Sequence, residues 1–334
     1  MPPIKTAEIM SLGPLGFGAA PIGNLYAEVS DDDAYAALAQ AWRRGIRYFD
    51  TAPFYGHGLS ERRLGEAFAA WPRAEFAVST KVGRLIESDA ASSAAITDGF
   101  AVSGSRAVFD YSGAGVRRSF EASLRRLRVD CVDILLLHDV GRLTHGERHA
   151  QMLAQALDEA LPEMARMRDE KLVGAIGIGV NEQEVGLEIL PRFELDSIML
   201  AGRYTLLEQH ASGELMDEAQ RRGVDILVAG PYNSGLLGDP RGPGATYNYA
   251  SVDAATLTRA QQIYAICAKL GVDVGAAALQ FPLAHPAVAT VVAGLRSQAE
   301  VDSAAARRDM EIPPTLWRRL QDAGLLARDA VLPL

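Results

Sequence analysis

Residues 45–61 read Gly45-Ile-Arg-Tyr-Phe-Asp50-Thr-Ala-Pro-Phe-Tyr55-Gly-His-Gly-Leu-Ser60-Glu61. The apolar run from Ile46 to Phe49 predicts a buried strand, and the proline and glycines that follow Asp50 predict a loop. Ser60 opens a helical pattern and is a suitable N-cap. The stretch therefore predicts one strand-loop-helix unit, with the carboxylate of Asp50 at the end of the strand and the phenol of Tyr55 in the loop.

The same unit recurs along the chain, because short apolar runs alternate with helical patterns eight times. Strands that are apolar throughout are typical of a parallel sheet that is buried on both faces. Eight such units in 334 residues favour a single (β/α)8 TIM barrel spanning residues 1–334. An open α/β sheet would require Gly-x-Gly-x-x-Gly between a strand and a helix, and Gly13–Gly18 precedes no helical pattern. The predicted strands are Leu15–Gly18, Ile46–Asp50, Phe76–Lys81, Val132–His138, Gly174–Gly179, Ser197–Ala201, Ile226–Ala229 and Thr290–Gly294.

Two of the predicted connections are unusually long, at residues 84–109 and 238–251. Long loops in compact domains usually carry function or are disordered. Both follow strands, so we expect them at the C-terminal end of the barrel. The predicted helices are Asp31–Arg44, Ser60–Ala70, Gly115–Arg128, Gln151–Glu170, Glu182–Leu190, Gly213–Arg222, Ala254–Leu270, Gln298–Arg307 and Thr315–Ala323.

The composition excludes several classes of protein. Hydrophobic residues make up 49% of the chain and the formal charge is −9, which disfavours nucleic acid or an anionic membrane as a partner. The chain contains no run of about 18 apolar residues and no signal peptide, so a cytoplasmic protein without a membrane span is expected. The two cysteines form no Cys-x-x-Cys pair, and one strand-end histidine without clustered carboxylates predicts no metal site.

Four titratable side chains are expected to meet at one end of the barrel. Active sites of such barrels lie at the C-terminal ends of the strands. Asp50, Lys81 and His138 end the second, third and fourth predicted strands, and Tyr55 follows the second. Each residue alone is compatible with a structural role, but together they form a set suited to proton transfer.

The chemistry of this set assigns a role to each member. A phenol ordinarily releases its proton only near pH 10, and an adjacent ammonium stabilises the phenolate. Tyr55 is thus the expected proton donor or acceptor, with Lys81 beside it and Asp50 holding Lys81. A neutral imidazole at His138 would hold the reacting oxygen of the substrate.

These residues fall in motifs that resemble those of the aldo-keto reductases. The matching segments are Gly45–Glu61, Ser79-Thr80-Lys81 and Ser119–His138, and the resemblance covers most of the chain. It implies a (β/α)8 barrel that binds a nicotinamide cofactor without a separate dinucleotide-binding domain. It also implies a catalytic tetrad of Asp50, Tyr55, Lys81 and His138, with hydride passing between the nicotinamide and a carbonyl or carbinol carbon.

The cofactor segments depart from the usual pattern of that family. Ser-Asn after the fifth strand is replaced by Gly179-Val180, with Asn181 one position later. Glu300 aligns where an arginine often meets the 2′-phosphate of NADPH, and a carboxylate there favours NAD, although NADP remains possible. Alternatively, Glu300 is a solvated helix charge. The resemblance implies cofactor contacts at Asn181, Gly230, Tyr232, Ser234, Gly294, Arg296, Ser297 and Glu300.

Two further segments, Ala201–Gln209 and Pro231–Leu237, resemble the aldose 1-dehydrogenases that act on L-fucose and, equally, pyridoxal 4-dehydrogenase. Both enzymes oxidise a cyclic hemiacetal to a lactone, so a small hemiacetal or aldehyde is the expected substrate. A general aldehyde reductase and a cofactor-binding regulatory subunit with slow turnover are the alternatives, and the oligomeric state is open. Expected substrate contacts are Phe54, Tyr232 and Asn233, with the 247–249 loop as a weaker candidate.

Overall fold

The computed structural model describes residues 13–89, 95–97, 99–209, 213–239, 241–242, 244, 246–247 and 250–334. These residues form a closed barrel of eight parallel strands in the order β1-β8-β7-β6-β5-β4-β3-β2. Strand β1 closes the barrel by pairing with both β2 and β8. The predicted (β/α)8 barrel is therefore confirmed. Its strands are β1 (Leu15–Gly18), β2 (Tyr48–Asp50), β3 (Ala77–Val82), β4 (Val132–His138), β5 (Val173–Val180), β6 (Ser197–Ala201), β7 (Asp225–Ala229) and β8 (Val288–Gly294).

The strands are apolar on both faces because they separate two cores. Outward-facing residues such as Phe49, Val78 and Leu135 pack against the surrounding helices. Inward-facing residues fill the barrel itself. The inner core consists of Tyr48, Ala77, Ile134, Leu136, Ala175, Met199, Leu227, Ala289 and Val292.

Helices surround the barrel, and several begin at a side-chain cap. Ser30, Ser112 and Asp273, for example, accept hydrogen bonds from backbone N–H groups in the first turns of the helices that begin at Asp31, Gly113 and Val274. The helices are α1 (Asp31–Arg43), α2 (Leu59–Phe68), α3 (Gly113–Leu127), α4 (Arg142–His145), α5 (His149–Gln155), α6 (Leu161–Asp169), α7 (Glu184–Ile189), α8 (Leu215–Arg222), α9 (Ala254–Lys269), α10 (Val274–Gln280), α11 (Gln298–Arg308) and α12 (Pro314–Asp322).

Hydropathy and length single out one helix pair among the described residues. No single helix there is long and apolar enough to cross a membrane. The pair Ala254–Lys269 and Val274–Ala284 meets the criteria only when its two members are counted together, and they are bent by 106° at their junction.

Several helical regions differ from the predictions. Helix α4 was not predicted, and α2 begins at Leu59 with Gly58, not Ser60, at the N-cap position. The helix predicted over Gln151–Glu170 is interrupted by a π-helical segment, Ala156–Ala160, between α5 and α6. Pro162 follows at the start of α6, and because it has no N–H to donate, the regular bonding pattern cannot continue through it. Helix α10 was not predicted, because its sequence Val-Gly-Ala-Ala-Ala-Leu-Gln has no polar face and six of its seven residues are buried.

The two long connections contain short strands where loops were predicted. In the described part of residues 84–109, Arg84–Ser88 pairs antiparallel with Ser105–Phe109, and Ala95–Thr97 pairs with Phe100–Val102. In the second connection, Thr246–Tyr247 pairs with Ala250–Ser251. Tyr249, a weaker candidate for substrate contact, lies outside the described residues.

Candidate active site

The alternation of side chains along three neighbouring strands carries Asp50, Lys81 and His138 into the mouth of the barrel. Side chains two residues apart share a face of a strand. His138 therefore faces the same way as Ile134 and Leu136, which belong to the inner core. By the same alternation, Lys81 faces the same way as Ala77, and Asp50 faces the same way as Tyr48. Asp50 and His138 end their strands and Lys81 lies one residue before the end of β3, so all three side chains lie immediately above the packed interior.

Lys81 is the centre of the cluster. Its Nζ donates to both carboxylate oxygens of Asp50, at 3.0 and 2.8 Å, and to the Thr51 carbonyl at 2.9 Å. It also lies 3.0 Å from the hydroxyl oxygen of Tyr55. The lysine side chain is 2% exposed, so this charge is held in a dry environment where it acts strongly on the phenol. Gly179 on β5 leaves room for it, because a Cβ there would lie 3.3 Å from Lys81 Cε.

Further hydrogen bonds, on the side of the barrel interior, hold the Asp50 carboxylate in place. Ser79 Oγ donates to Asp50 Oδ1 at 2.7 Å, and the same hydroxyl is 2.8 Å from the hydroxyl of Tyr48. All three side chains point into the barrel, and Tyr48 is fully buried. The chain of bonds ends there, so these groups orient the carboxylate. Ser79 belonged to a recognised motif, but the sequence assigned it no role.

Tyr55 sits in a tight turn between β2 and α2. His57, Gly56 and Gly58 all have positive φ values of 49°, 64° and 93°. A Cβ on Gly56 would lie 2.3 Å from the Gly23 carbonyl oxygen, so the turn packs directly on backbone. The Tyr55 ring stacks on Phe100, with centroids 5.8 Å apart, and meets His138 edge to face at 6.0 Å. The phenol is thereby held between the lysine and the histidine.

His138 is kept neutral by its surroundings. Burial lowers its pKa well below the ordinary value, and the positive charges of Arg84 and Lys81 lower it further. The backbone carbonyl of His138 accepts a hydrogen bond from Tyr111, which also contacts the Asp139 carbonyl. The structure therefore brings the side chains of Asp50, Tyr55, Lys81 and His138 together at one end of the barrel.

The sequence did not predict that two further charged residues lie beside the tetrad. Arg84 forms an ion pair with Asp139, and Asp139 Oδ2 lies 3.5 Å from His138 Nε2. Asp139 directly follows a strand-end histidine, so the same positional rule that selected His138 would have selected it. Arg84 carried no such signal, because it opens the strand Arg84–Ser88 in a region predicted to be a loop.

The residues predicted to hold the cofactor lie around the same end of the barrel. Asn181, just after β5, donates through Nδ2 to Asp139 Oδ1 at 3.1 Å. Ser297 caps α11 by accepting from the Glu300 N–H. Glu300 in turn accepts from the backbone N–H and Nε of Arg296, at 2.9 and 3.0 Å. Glu300 is thus paired with Arg296, and the two side chains are 38% and 48% exposed, respectively.

The remaining cofactor candidates are two rim glycines and a turn serine. Gly230 follows β7 with a φ of 66°, and Gly294 ends β8; both are exposed, so the backbone is open to a ligand. Ser234 has a φ of 58°, and its carbonyl accepts from Thr246 Oγ1.

The predicted substrate contacts divide into two groups. Phe54 adjoins the tetrad, since its ring meets His138 edge to face with centroids 6.0 Å apart. Tyr232 instead lies beside Arg307, whose guanidinium carbon is 5.5 Å from the ring centroid. Asn233 is buried, accepts from Thr205 and donates to the Gly202 carbonyl. Tyr247 donates to Glu208 at 2.8 Å.

Among the residues that the structure describes, no group of three or more histidine, cysteine, aspartate or glutamate side chains is arranged to hold a metal ion.

Known proteins resemble this chain over nearly its full length. The model of the Aldo/keto reductase family matches residues 14–324. A D-threo-aldose 1-dehydrogenase from a Pseudomonas species is 41% identical over 97% of this chain and 98% of its own length. Pyridoxal 4-dehydrogenase from Microbacterium luteolum is 37% identical over 97% and 99%, respectively. L-galactose dehydrogenase from Arabidopsis thaliana is 30% identical over 88% and 83%.

Solved structures share the fold. An aldo-keto reductase from Bacillus halodurans, in its holo form, superimposes with a TM-score of 0.73 at 24% identity, covering 96% of this chain and 94% of that one. A glycerol dehydrogenase from Gluconobacter oxydans gives 0.70 at 21% identity, over 96% and 93%.

Proposed function

The chain belongs to the aldo/keto reductase family and is an oxidoreductase that uses a nicotinamide cofactor on small-molecule substrates, and on this premise we propose that it oxidises a cyclic hemiacetal, such as L-fucose, to its lactone. The observation that carries the proposal is the 3.0 Å contact between Lys81 Nζ and the Tyr55 hydroxyl, made inside a buried ion pair with Asp50. The ammonium beside the phenol favours the phenolate, which is the form that can accept a hydroxyl proton.

The proposed mechanism assigns one task to each member of the tetrad. Tyr55, as the phenolate, accepts the proton of the anomeric hydroxyl. Lys81 stabilises the phenolate, and Asp50 pairs with the lysine and holds its Nζ in position. His138 stays neutral and donates a hydrogen bond to the reacting oxygen, which fixes the anomeric carbon in place. The bound nicotinamide supplies the acceptor for the hydride that leaves this carbon.

The residues at the rim fit a dinucleotide. The N-terminus of α11 carries Ser297 and Arg296, and helix N-termini near the last strands of such barrels suit phosphate groups. The exposed backbone at Gly230 and Gly294 admits close approach of a ligand. In the proposal, the amide of Asn181 holds the carboxamide of the nicotinamide, while Ser234 and Tyr232 flank the cofactor.

We further propose NAD as the preferred cofactor. Glu300 neutralises Arg296, since the carboxylate accepts from both its backbone N–H and its Nε. A phosphate on the ribose would meet this carboxylate, whereas a free ribose hydroxyl can donate to it. The pairing therefore favours the cofactor that lacks the 2′-phosphate.

An aldose is the favoured substrate among the candidates. The aldose dehydrogenase among the relatives has a higher identity to this chain than the pyridoxal dehydrogenase, 41% against 37%. Pyridoxal oxidation would use the same groups and serves as the comparison in the assay. The full set of four side chains in contact argues against a regulatory subunit with slow turnover.

A substrate panel tests the proposal. The purified protein is assayed with L-fucose, other D-threo-aldoses, pyridoxal and simple aldehydes, each with NAD and with NADP, and nicotinamide reduction is followed at 340 nm. We expect rapid lactone formation from an aldose with NAD. Turnover of simple aldehydes by NADPH with no oxidation of any hemiacetal would contradict the proposal.

A further inference from the structure

A buried ion pair lies beside His138 and takes no part in the proton transfer described above. The side chains of Arg84 and Asp139 are 10% and 11% exposed, respectively, and pair with one another. Buried ion pairs seldom stabilise a protein more than well-packed apolar residues of the same volume. Their presence at the mouth of the barrel, next to the residue that holds the reacting oxygen, therefore calls for a functional explanation.

Arg84 is held rigidly and retains an unused donor. Its guanidinium carbon lies 3.9 Å from the centroid of the Phe54 ring and 4.5 Å from that of Phe109, so the group is sandwiched between two aromatic faces. Its buried Nε has no hydrogen-bond partner among the described residues. A buried donor without a partner is unfavourable, and a polar group of a bound molecule would relieve that cost.

Asp139 is fixed in a strained position. It has a positive φ of 51°, which is uncommon for a residue other than glycine and is often found at functional sites. Its N–H donates to the Gly179 carbonyl at 2.9 Å, and its Oδ1 accepts from Asn181. These bonds aim Oδ2 at the space beside His138 Nε2, 3.5 Å away.

We propose that Arg84 and Asp139 bind the hydroxyl on the carbon next to the one that is oxidised, and so select 2-hydroxy hemiacetals. The inference rests on the proposed function, in which the anomeric oxygen lies against His138. The two oxygens of a vicinal diol lie about 3 Å apart, within hydrogen-bond distance. This spacing is close to the 3.5 Å between His138 Nε2 and Asp139 Oδ2, so one oxygen can contact each group. The second hydroxyl donates to Asp139 and accepts from Arg84, which makes both bonds charge-assisted.

The test compares L-fucose with 2-deoxy-L-fucose in the wild type, Asp139→Asn and Arg84→Met. The wild type should prefer L-fucose in kcat/KM by about 10- to 100-fold, since a site built to bind a hydroxyl rejects the analogue that lacks it. Both variants should lose at least about tenfold of this preference, mainly through slower turnover of L-fucose. Because each variant is compared with itself on two substrates, a general loss of folding or of cofactor binding cancels.

Matched controls come from the same hairpin. Arg106 and Glu87 form an exposed ion pair 2.8 Å apart, and Arg106→Met and Glu87→Gln should leave the preference unchanged. If both Arg84 and Asp139 variants keep the wild-type preference, the pair has only a structural role and the inference is wrong. A wild type that oxidises pyridoxal but no aldose overturns the inference while leaving the dehydrogenase function intact. A wild type that oxidises no hemiacetal overturns both.

Discussion

At the scale of single residues, the phenol of Tyr55 is the group on which turnover should depend. Replacing it with phenylalanine removes the base but keeps the ring that stacks on Phe100. We expect Tyr55→Phe to reduce kcat by several orders of magnitude, because the variant has no phenol hydroxyl to take up the substrate proton. Binding of NAD, measured by fluorescence quenching, should be unchanged. Turnover near the wild-type rate would show that another base acts.

The hydrogen bonds below Asp50 permit a separate test of orientation. Ser79→Ala removes the donor to Asp50 and leaves the buried Tyr48 hydroxyl without its partner, which should lower the free energy of unfolding by about 1–3 kcal/mol. We expect kcat to fall about tenfold. Adding Tyr48→Phe should restore much of the stability in urea unfolding but none of the activity. Recovery of both together would mean that Ser79 acts only through stability.

Glu300 is the residue that should decide between the two cofactors. Glu300→Arg introduces a charge that attracts the 2′-phosphate and releases Arg296 from its pairing, so kcat/KM for NADP relative to NAD should rise at least about tenfold. Glu300→Gln is the matched control, since it keeps the shape and hydrogen-bonding capacity and removes the charge, and it should give an intermediate ratio. If neither variant changes the ratio, the segment does not face the adenosine ribose.

At the scale of secondary-structure elements, the period of two along β2, β3 and β4 made the site predictable. Asp50 and His138 end their strands, Lys81 lies one residue before the end of β3, and all three side chains point inward. That placement follows from the sequence once eight strands are recognised. The same reasoning could not predict the position of Arg84, because that position depends on an antiparallel strand pair formed across the 84–109 connection. Contacts within long connections depend on tertiary packing, which local patterns do not encode.

The contact between α2 and α3 depends on a single glycine. Gly65 is buried, and a Cβ there would lie 2.2 Å from the Arg126 carbonyl oxygen, which is backbone and cannot rotate away. Gly65→Ala should therefore lower the free energy of unfolding by about 2 kcal/mol, despite the better helix propensity of alanine. At Gly113, the nearest atom to an added Cβ is 3.6 Å away, so Gly113→Ala should be neutral or slightly stabilising. Equal effects in chemical denaturation would show that the helices can separate at little cost.

At the scale of the whole molecule, the barrel was predictable because every strand repeats the same rule. Apolar runs that serve two cores alternate with amphipathic helices, and closure through β1 and β8 needs no special sequence. Helix α10 was not predicted, because a helix that is buried on all sides lacks the alternation of polar and apolar residues that marks the other helices. Several titratable groups are buried as well. Burial shifts their pKa values, so the free energy of unfolding depends on pH.

The stability of the whole protein should fall on mild acidification, in part through His138. Its pKa is lowered in the folded state, so between that value and the ordinary one near 6.5 the unfolded chain binds more protons. The free energy of unfolding therefore decreases as the pH drops below about 6.5, by up to about 1.4 kcal/mol per pH unit for one such group. His138→Gln removes this group, while the lowered pKa values of His145 and His285 remain in both proteins. Urea unfolding at pH 7.5, 6.5 and 5.5 should give the variant a shallower dependence, with unchanged m-values. Parallel curves would mean that the pKa of His138 is the same in the folded and unfolded states, so that burial does not keep the imidazole neutral below pH 6.5.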